Sequence, residues 1–514
     1  GTLLAALLVV FSSSRPAPGG MTFRDLANLG ESFFIAVIGA QLTLVLLAAP
    51  AATAGSVCND RASGMLAHVL VTDLSDVEIV LGKLAARLVP VLGLVACALP
   101  MMTILTLLGG VDPDALIGAF VVTVGLAVLG ASIAFAFSVW ATKTHEALLG
   151  TYAVWGLWLL GRPFVQLLNS AFGWSLAVPA PLADPYTLTF APYWRPGSVA
   201  MGDYAWFLAV AFGISAGFAA LAVLRVRAVC TREDVARRRG LGGGLARLGE
   251  RLNPTRLLPE PSLDFNPVLW RERRRARPSR FGRVVWGFFV IGAVIASLAA
   301  IVAPRAMIAT AWVNGLQVSI GMLLLSASAA TSLSEERARG SLDVLMTTTL
   351  TTREIVLGKW LATFRLVPAL AVLPTLVIVC HDPSRWQYLP SVVLTPVFVL
   401  VCGAAVVGLG LMMATWFARP GRAAAVTVSA YVLVAVGWLF AGIGFLRGPA
   451  DEGLLMASPF MFAGGLAADL CAPSSRRNHL GWAVVWTIVY AAAAIGFLRA
   501  TLATFNRCLG RVED

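Results

Sequence analysis

Two Gly-Lys pairs, Gly82-Lys83 and Gly358-Lys359, are the residues of this sequence that come nearest to a catalytic motif. A phosphate-binding loop requires Gly-x-x-x-x-Gly-Lys followed by Ser or Thr, because backbone amides, the lysine and the hydroxyl together hold the phosphates and Mg²⁺. Lys83 is followed by Leu and Lys359 by Trp, and neither pair has the first Gly. We therefore expect no ATP-hydrolysing site in this chain.

The histidines and cysteines form no metal-binding or catalytic pattern. The four His (68, 145, 381 and 479) have no HExxH or similar spacing, and the seven Cys contain no CxxC pair. No Ser or Cys has an identifiable general base in the sequence. We expect no metal, no cofactor and no enzymatic activity in this chain.

The amino-acid composition indicates that the Gly-Lys pairs, histidines and cysteines belong to a protein built from apolar helices. Hydrophobic residues make up 58% of the 514 residues and charged residues only 13%, with a mean hydropathy of +0.81. A soluble domain has about 25% charged residues. The sequence therefore predicts an all-α, polytopic integral membrane protein, with the lipid bilayer as its surroundings. Apolar runs of spanning length occur at about 31–55, 84–108, 115–141, 147–169, 204–226, 282–302, 310–333, 361–380, 389–417, 423–446 and 480–502.

A twelfth span is suggested by the apolar run Thr2–Phe11. This run is too short to cross a bilayer and follows an initial Gly, so we expect a truncated N-terminus, with roughly 25–40 further residues upstream. About twelve transmembrane helices would place both termini in the cytoplasm of a bacterial-type inner membrane.

The net charge of +12 is concentrated in one segment. Between Arg225 and Arg283 there are 16 Arg and six acids, a net charge of +10. The positive-inside rule places this segment in the cytoplasm, and the resulting topology assigns 28 Lys and Arg to inside loops and nine to outside loops. Nucleic-acid binding is not expected, because aromatic residues that could stack on bases are absent from most of the segment.

An internal repeat divides the chain. A shift of 276 residues places Asp60–Lys83 on Glu336–Lys359 with 12 of 24 positions identical, including the whole EIVLGK run. Two six-helix halves in the same orientation would follow from this shift. We predict a first six-span module at 1–226, a basic cytoplasmic linker at 227–265 and a second module at 266–514.

Each repeated segment lies between the second and third predicted spans, on the side that the charges assign to the cytoplasm. Its order is polar residues, a Gly, spaced aliphatics, a Thr-rich turn and a short stretch ending in Gly-Lys. This order predicts a short amphipathic helix, a break and a return into the membrane, where the lysine would reach the headgroup layer. Helix capping or lipid packing could explain each residue singly, but not the same order in both halves.

The repeated segments resemble those of the permeases of ATP-binding-cassette exporters of the second type (ABC-2). Members of this family carry a Glu, an Arg-Gly or similar pair, a Leu-rich turn, a Thr-Pro-Leu-Ser-like break and an E-I-x-x-G-K ending between the second and third spans. Asp60 replaces the usual Glu here, and Asp73 and Thr349 stand where Pro is usual. The residues that would couple to an ATPase are Asp60, Arg61, Gly64, Leu66, Thr72, Glu78, Gly82 and Lys83, and Glu336, Arg337, Gly340, Leu342, Thr348, Glu354, Gly358 and Lys359.

This resemblance implies a transmembrane permease that is driven by a separate ATP-binding subunit, present in two copies, to which ATP and Mg²⁺ would bind. The acids Asp60 and Glu336 would meet complementary charge on that subunit. It also implies an amphipathic helix at the inner membrane surface, beginning at Asn266 and running to about Arg280.

An ion-gradient-driven secondary transporter or channel is the alternative. Such proteins usually carry ionisable residues near the bilayer midplane, whereas the charged residues of these spans fall mostly at their ends, among them Arg87, Glu146 and Arg365. Candidates for a substrate pathway are the polar residues of the second and fifth spans, although hydrogen bonding between helices would explain them equally well. They are Gln41, Thr43, Tyr152, Asn314, Gln317 and Tyr431. The substrate itself cannot be read from the sequence.

Overall fold

The computed structural model describes most of the chain as helix. The described residues are 23–62, 64–107, 111–141, 144–173, 184–236, 266–275, 280–302, 307–338, 340–381, 389–437, 453, 455–468 and 476–509. All regular elements in these ranges are helical, which confirms the predicted all-α class for them.

Within the described ranges, nine helices begin before the residues predicted as the linker. They are α1 (Phe23–Thr53), α2 (Cys58–Ala62), α3 (Met65–Leu70), α4 (Asp76–Ala96), α5 (Leu99–Leu107), α6 (Pro113–Trp140), α7 (Thr144–Phe172), α8 (Pro185–Trp194) and α9 (Met201–Ala236). The last of these continues ten residues beyond the predicted module boundary at 226.

Among the residues described after the linker, there are ten α-helices and one π-helical turn. They are α10 (Pro267–Arg275), α11 (Arg280–Val302), α12 (Met307–Ala338), α13 (Ser341–Met346), α14 (Thr352–Phe364), α15 (Val367–His381), α16 (Leu389–Trp416), α17 (Pro420–Val432), the π-helical turn Leu433–Gly437, α18 (Pro459–Ala468) and α19 (Arg476–Leu509). The predicted amphipathic segment is thus helical from Pro267 to Arg275.

Nine helices within the described ranges are long and apolar enough to cross a bilayer, which is the property of a polytopic membrane protein. Helix α7 and the shorter apolar stretch Pro420–Val436 lie where two further spans are predicted. The run Thr2–Phe11 lies outside the described residues. The count of twelve spans therefore stays a prediction.

Two long helices, α6 and α16, form the centres of the packing. Helix α6 contacts α1, α7 and α9, and α16 contacts α12, α17 and α19. Across the linker, α7 packs against α11 and α12, while α17 packs against α1. The fifth predicted span on each side of the linker therefore contacts the second predicted span on the other side.

The third predicted span begins earlier than hydropathy indicates. Helix α4 starts at Asp76 rather than near residue 84, and α14 starts at Thr352 rather than near residue 361. Each span is also interrupted, between α4 and α5 and between α14 and α15. As a result, Lys83 and Lys359 lie about two turns inside a helix. Arg87 lies in the middle of α4 and Arg365 at the break between α14 and α15, rather than at the start of a span as expected.

Candidate coupling elements

The two repeated segments fold in the same way. In each, a glycine in the left-handed region begins a six-residue helix, with φ of 75° at Gly64 before α3 and 69° at Gly340 before α13. Because L-residues with a side chain rarely adopt this conformation, a glycine is favoured at both positions. The hydroxyls of Thr72 and Thr348 each donate 2.6 Å hydrogen bonds to the carbonyl three residues earlier and close the turn after the helix.

A capping box then starts the next helix in both segments. Ser75 accepts a hydrogen bond from the backbone of Glu78, whose carboxylate accepts from the Ser75 backbone at 2.8 Å. Thr351 and Glu354 repeat the arrangement with a 2.7 Å bond. This reciprocal capping fixes the helix start. The expected separate stretch ending in Gly-Lys is therefore wrong, since those residues belong to the helix that enters the membrane.

Each short helix is anchored by its apolar face to the helices around it. Leu66 and Val80 pack with Val57 of the preceding turn and with Phe135 of α6. The equivalent cluster after the linker joins Leu342 and Val356 to Leu333 of α12 and Leu411 of α16. All four pairs of equivalent residues are separated by 276 positions, so the repeat in sequence is also a repeat in packing.

The first acid of each repeated segment contacts the lysine that ends the same segment. Lys83 contacts Asp60, and Lys359 contacts Glu336 at 2.7 Å. The expectation that these acids face charge on another subunit is not needed to explain them, because each already has a cation within the chain. The side chain of Lys359 is only 2% exposed, so its stem packs against protein rather than against lipid.

Helix α10 adds two charged residues to the second pair. Glu272 accepts a 2.7 Å hydrogen bond from Lys359, and Arg271 contacts Glu336 at 3.3 Å. Burial raises the pKa of Glu272, but the charge of Lys359 and the hydrogen bonds outweigh burial, so the pKa lies below its usual value. These four residues form the charge cluster.

An arginine in each segment binds the carbonyl end of the fourth predicted span. Arg61 donates to the carbonyl of Ala141, which caps α6, and Arg337 donates at 3.1 Å to the carbonyl of Thr415 in the last turn of α16. Cations are favoured at helix C-termini, where carbonyls lack helical partners and the helix dipole is negative. The first segment is thus attached to α6 and the second to α16, the two helices that form the centres of the packing.

The first residue of each membrane-entering helix is also bound to the sixth predicted span. Asp76 contacts Arg227 of α9 at 2.6 Å, and Thr352 donates a 2.8 Å hydrogen bond to Asn506 of α19. Asp76 and Thr352 are again 276 positions apart. A displacement of either segment would therefore be transmitted to several helices.

The surroundings of Gly82 and Gly358 differ between the two segments. Asn266 donates a 2.9 Å hydrogen bond to the Glu354 carbonyl, and a Cβ added at Gly358 would lie 2.6 Å from Oδ1 of Asn266 and 2.9 Å from Cβ of Val268. No described atom lies within 4 Å of the same position at Gly82. Helix α10 thus packs closely on the second segment.

Exposed apolar side chains remain at the outer tip of each segment. Val71 follows α3 and is 86% exposed, and Val344 in α13 is 69% exposed. Met65 is exposed as well. Their neighbours Leu66 and Leu342 are buried. The tips therefore offer apolar contact area beside buried residues that anchor the segments.

The six pathway candidates are all buried, and five of them make hydrogen bonds between or within helices. Thr43 contacts the hydroxyl of Tyr186, Tyr152 donates to the carbonyl of Leu47, and Tyr431 donates to the carbonyl of Ser319. Gln317 and Asn314 are hydrogen-bonded to each other at 2.7 Å. Gln41 alone among the six has no hydrogen-bond partner for its amide within the described residues.

Three participants in these contacts were missed in the sequence. The positions 276 residues before Arg271 and Glu272 precede Gly1, so the shift of 276 gave no signal for them. Asp76 did have a counterpart, but the residues Asp and Thr do not look alike. Among the described residues, no group of three or more His, Cys, Asp or Glu could hold a metal ion.

Comparison with known proteins adds no assignment. Neither the models of known protein families nor the curated protein sequences match this chain.

Proposed function

We propose that this chain is the membrane-embedded permease of an ATP-binding-cassette exporter, with two modules of six spans fused in one polypeptide. The observation that carries the proposal is the duplicated attachment of the repeated segments. In each, an acid–lysine pair, an arginine on the carbonyl end of the fourth span, a capping box and a contact to the sixth span recur in equivalent positions.

Two firmly attached segments of the same construction are suited to receive force from a partner with two equivalent docking sites. Their apolar tips provide contact area, and their buried faces connect that area to the membrane helices. Two ATP-binding subunits that close on ATP would move the tips, and the contacts to α6, α9, α16 and α19 would pass this movement into the bilayer.

Outward movement of substrate would follow from rocking of the two modules against each other. Helices α7 and α17 cross between the modules, since each packs on the second span of the other module. A change at this contact would alter access to the space between α1 and α12.

The proposal can be tested through the tips. Val71→Asp combined with Val344→Asp places charge on exposed positions, so stability should change by no more than about 0.5 kcal/mol per site. Burying an aspartate in an apolar contact is costly, so co-purification of the ATP-binding subunit and permease-dependent ATP hydrolysis should both fall at least about tenfold.

Met201→Asp is the matched control, because Met201 is also exposed and begins α9 at the opposite end of the predicted topology. This variant should bind and stimulate the ATPase normally. Wild-type ATPase recovery and stimulation with the double variant would contradict the proposal. An ion-driven transporter would transport normally with both variants and without ATP.

A further inference from the structure

Two glutamines at equivalent positions of the repeat have opposite surroundings. Gln41 in α1 and Gln317 in α12 are 276 residues apart, and both are buried. Gln317 donates to Oδ1 of Asn314 at 2.7 Å and accepts from Ser297 at 3.2 Å. Asn314 in turn donates to the carbonyl of Pro374 at 3.3 Å. The amide in α12 is therefore part of a connected network.

The amide in α1 has no such network. Its Nε2 and Oε1 both lack a partner among the described residues, although the side chain is only 6% exposed. The position equivalent to Asn314 is Ile38, which is fully buried and apolar. An unpaired amide is costly in a membrane-spanning helix, because lipid offers no hydrogen bonds. Its presence calls for a partner that the described chain does not supply.

Gln41 lies at the level of the contact between α1 and the second module. The carbonyl of Ala51 is 3.8 Å from a Cβ built on Gly421, so the end of α1 meets the start of α17 and the two helices run antiparallel. Ten residues of helix from Ala51 to Gln41 correspond to about 15 Å. The same rise along α17 reaches Tyr431 and the π-helical turn, which also packs against α1.

The same level contains further uncharged polar groups. Tyr431 donates to the carbonyl of Ser319, two residues after Gln317. The carbonyl of Ala435 in the π-helical turn accepts a hydrogen bond from Ser458. π-helical turns often occur at functional sites. The described groups named at this level are amides, hydroxyls and carbonyls, which would leave a charged ligand uncompensated.

We infer that Gln41 is a substrate-binding residue and that the group it binds is neutral, with both a hydrogen-bond donor and an acceptor, such as a hydroxyl-bearing or amide-bearing head group. The amide offers two donors and one acceptor oxygen, which match such a group. Gln317, by contrast, is structural. This inference rests on the proposed function, because it places the bound group in the path between the two modules.

Leucine substitutions separate the two roles. Gln41→Leu removes an unpaired amide, so it should raise the apparent unfolding temperature by about 1–3 °C. Gln317→Leu leaves Asn314 and Ser297 without their partner, so it should lower that temperature by a similar amount. A lower unfolding temperature for Gln41→Leu would overturn the inference, because it would show that the amide has a structural partner.

Cysteine substitutions test access to the site in membrane vesicles that contain the full chain. Hydrophilic methanethiosulfonate reagents react with thiolates, which form only in contact with water. Gln41→Cys should therefore react with 2-aminoethyl methanethiosulfonate at least about tenfold faster than Gln317→Cys, with labelled peptides identified by mass spectrometry. Equal rates at the two positions would contradict the inference.

Three amphiphiles with the same tail test the chemistry of the bound group. Octyl glucoside, octyltrimethylammonium and octanoate, each below its micelle concentration, are added before the thiol reagent. In Ile38→Cys, which keeps the Gln41 amide one helical turn away in α1, octyl glucoside should slow labelling at least about threefold, and the charged amphiphiles should not. Adding Gln41→Leu to this variant should remove the protection. Equal protection by a charged amphiphile, or protection by none, would overturn the assignment.

The labelling also distinguishes this inference from the proposed function. Labelling and protection without nucleotide report on Gln41 alone. A change in labelling rate on adding ATP and the ATP-binding subunit reports on coupling. Protected labelling that never responds to ATP would retain the binding site and contradict the exporter.

Discussion

The charge cluster predicts that removing a lysine has very different effects in the two repeated segments. Lys359→Gln would leave Glu336 and Glu272 facing each other, with Arg271 as the remaining cation. Lys83→Gln would leave Asp60 without the lysine contact. The two substitutions are chemically identical and differ by 276 positions, so each serves as the control for the other.

The magnitude follows from burial. Lys359 is 2% exposed, and breaking a buried ion pair by removing one partner costs about 3–5 kcal/mol. Lys83 and Asp60 are 21% and 27% exposed, and a pair that is open to water is worth about 1 kcal/mol or less. We expect the decrease in the free energy of unfolding caused by Lys359→Gln to be at least about three times the decrease caused by Lys83→Gln.

The destabilisation caused by Lys359→Gln should also depend on pH, in a direction that follows from the pKa of Glu272. In the wild type the pKa of Glu272 is lowered, so its contribution to stability is present above the unfolded pKa and is lost as pH falls through the folded pKa. In Lys359→Gln, burial would act on Glu272 without the lysine and raise its pKa. Protonation then relieves the repulsion between the acids, so the effect of Lys359→Gln should be smaller at pH 5 than at pH 7.

Thermal unfolding of both variants in the same detergent, at pH 7 and at pH 5, measures these differences. Wild-type protein at each pH removes the general effect of acid. Equal shifts for the two variants would refute the burial argument. A larger effect of Lys359→Gln at pH 5 would refute the role given to Glu272.

Three further predictions concern the same segments and the topology. Gly358→Ala should displace α10 and destabilise the protein by about 1–3 kcal/mol through overpacking. Gly82→Ala should be neutral or stabilising by up to about 1 kcal/mol, because no described atom lies near the added methyl group and Ala favours helix more than Gly. Thermal unfolding of the two variants measures the difference. Gly340→Ala should cost about 1–2 kcal/mol, because φ is 69° there, and lower the unfolding temperature accordingly. An impermeant thiol reagent on intact cells should label Ser198→Cys but not Cys230, and the reverse would invert the predicted topology.

Much of the candidate site could be predicted from the sequence, because the repeat marked both segments and the glycines at their turns. The start of α4 was also present, as the pair Ser75 and Glu78, but hydropathy placed the span later because Asp76 and Glu78 are charged. The contact of Lys359 with Glu272 could not be predicted, since the two residues are 87 positions apart and the shift of 276 pairs neither α10 nor Glu272 with another part of the given sequence.

The difference between Gln41 and Gln317 shows a second limit. Both glutamines are visible in the sequence at the shift of 276, and both were candidates for the same pathway. Only the side-chain contacts show that one is bound within a network and the other is not. A polar residue in a span has the same appearance in sequence whether it binds a neighbouring helix or a ligand.

Photo-crosslinking from the two tips tests the central claim most directly. A photoreactive amino acid placed at Val71 or at Val344 should crosslink, in separate experiments, to the same ATP-binding polypeptide, which mass spectrometry would identify through its phosphate-binding loop. The same group at Met201 should give no such product. Absence of this product from both tips, in protein that still transports its substrate, would contradict the assignment of the repeated segments as coupling elements.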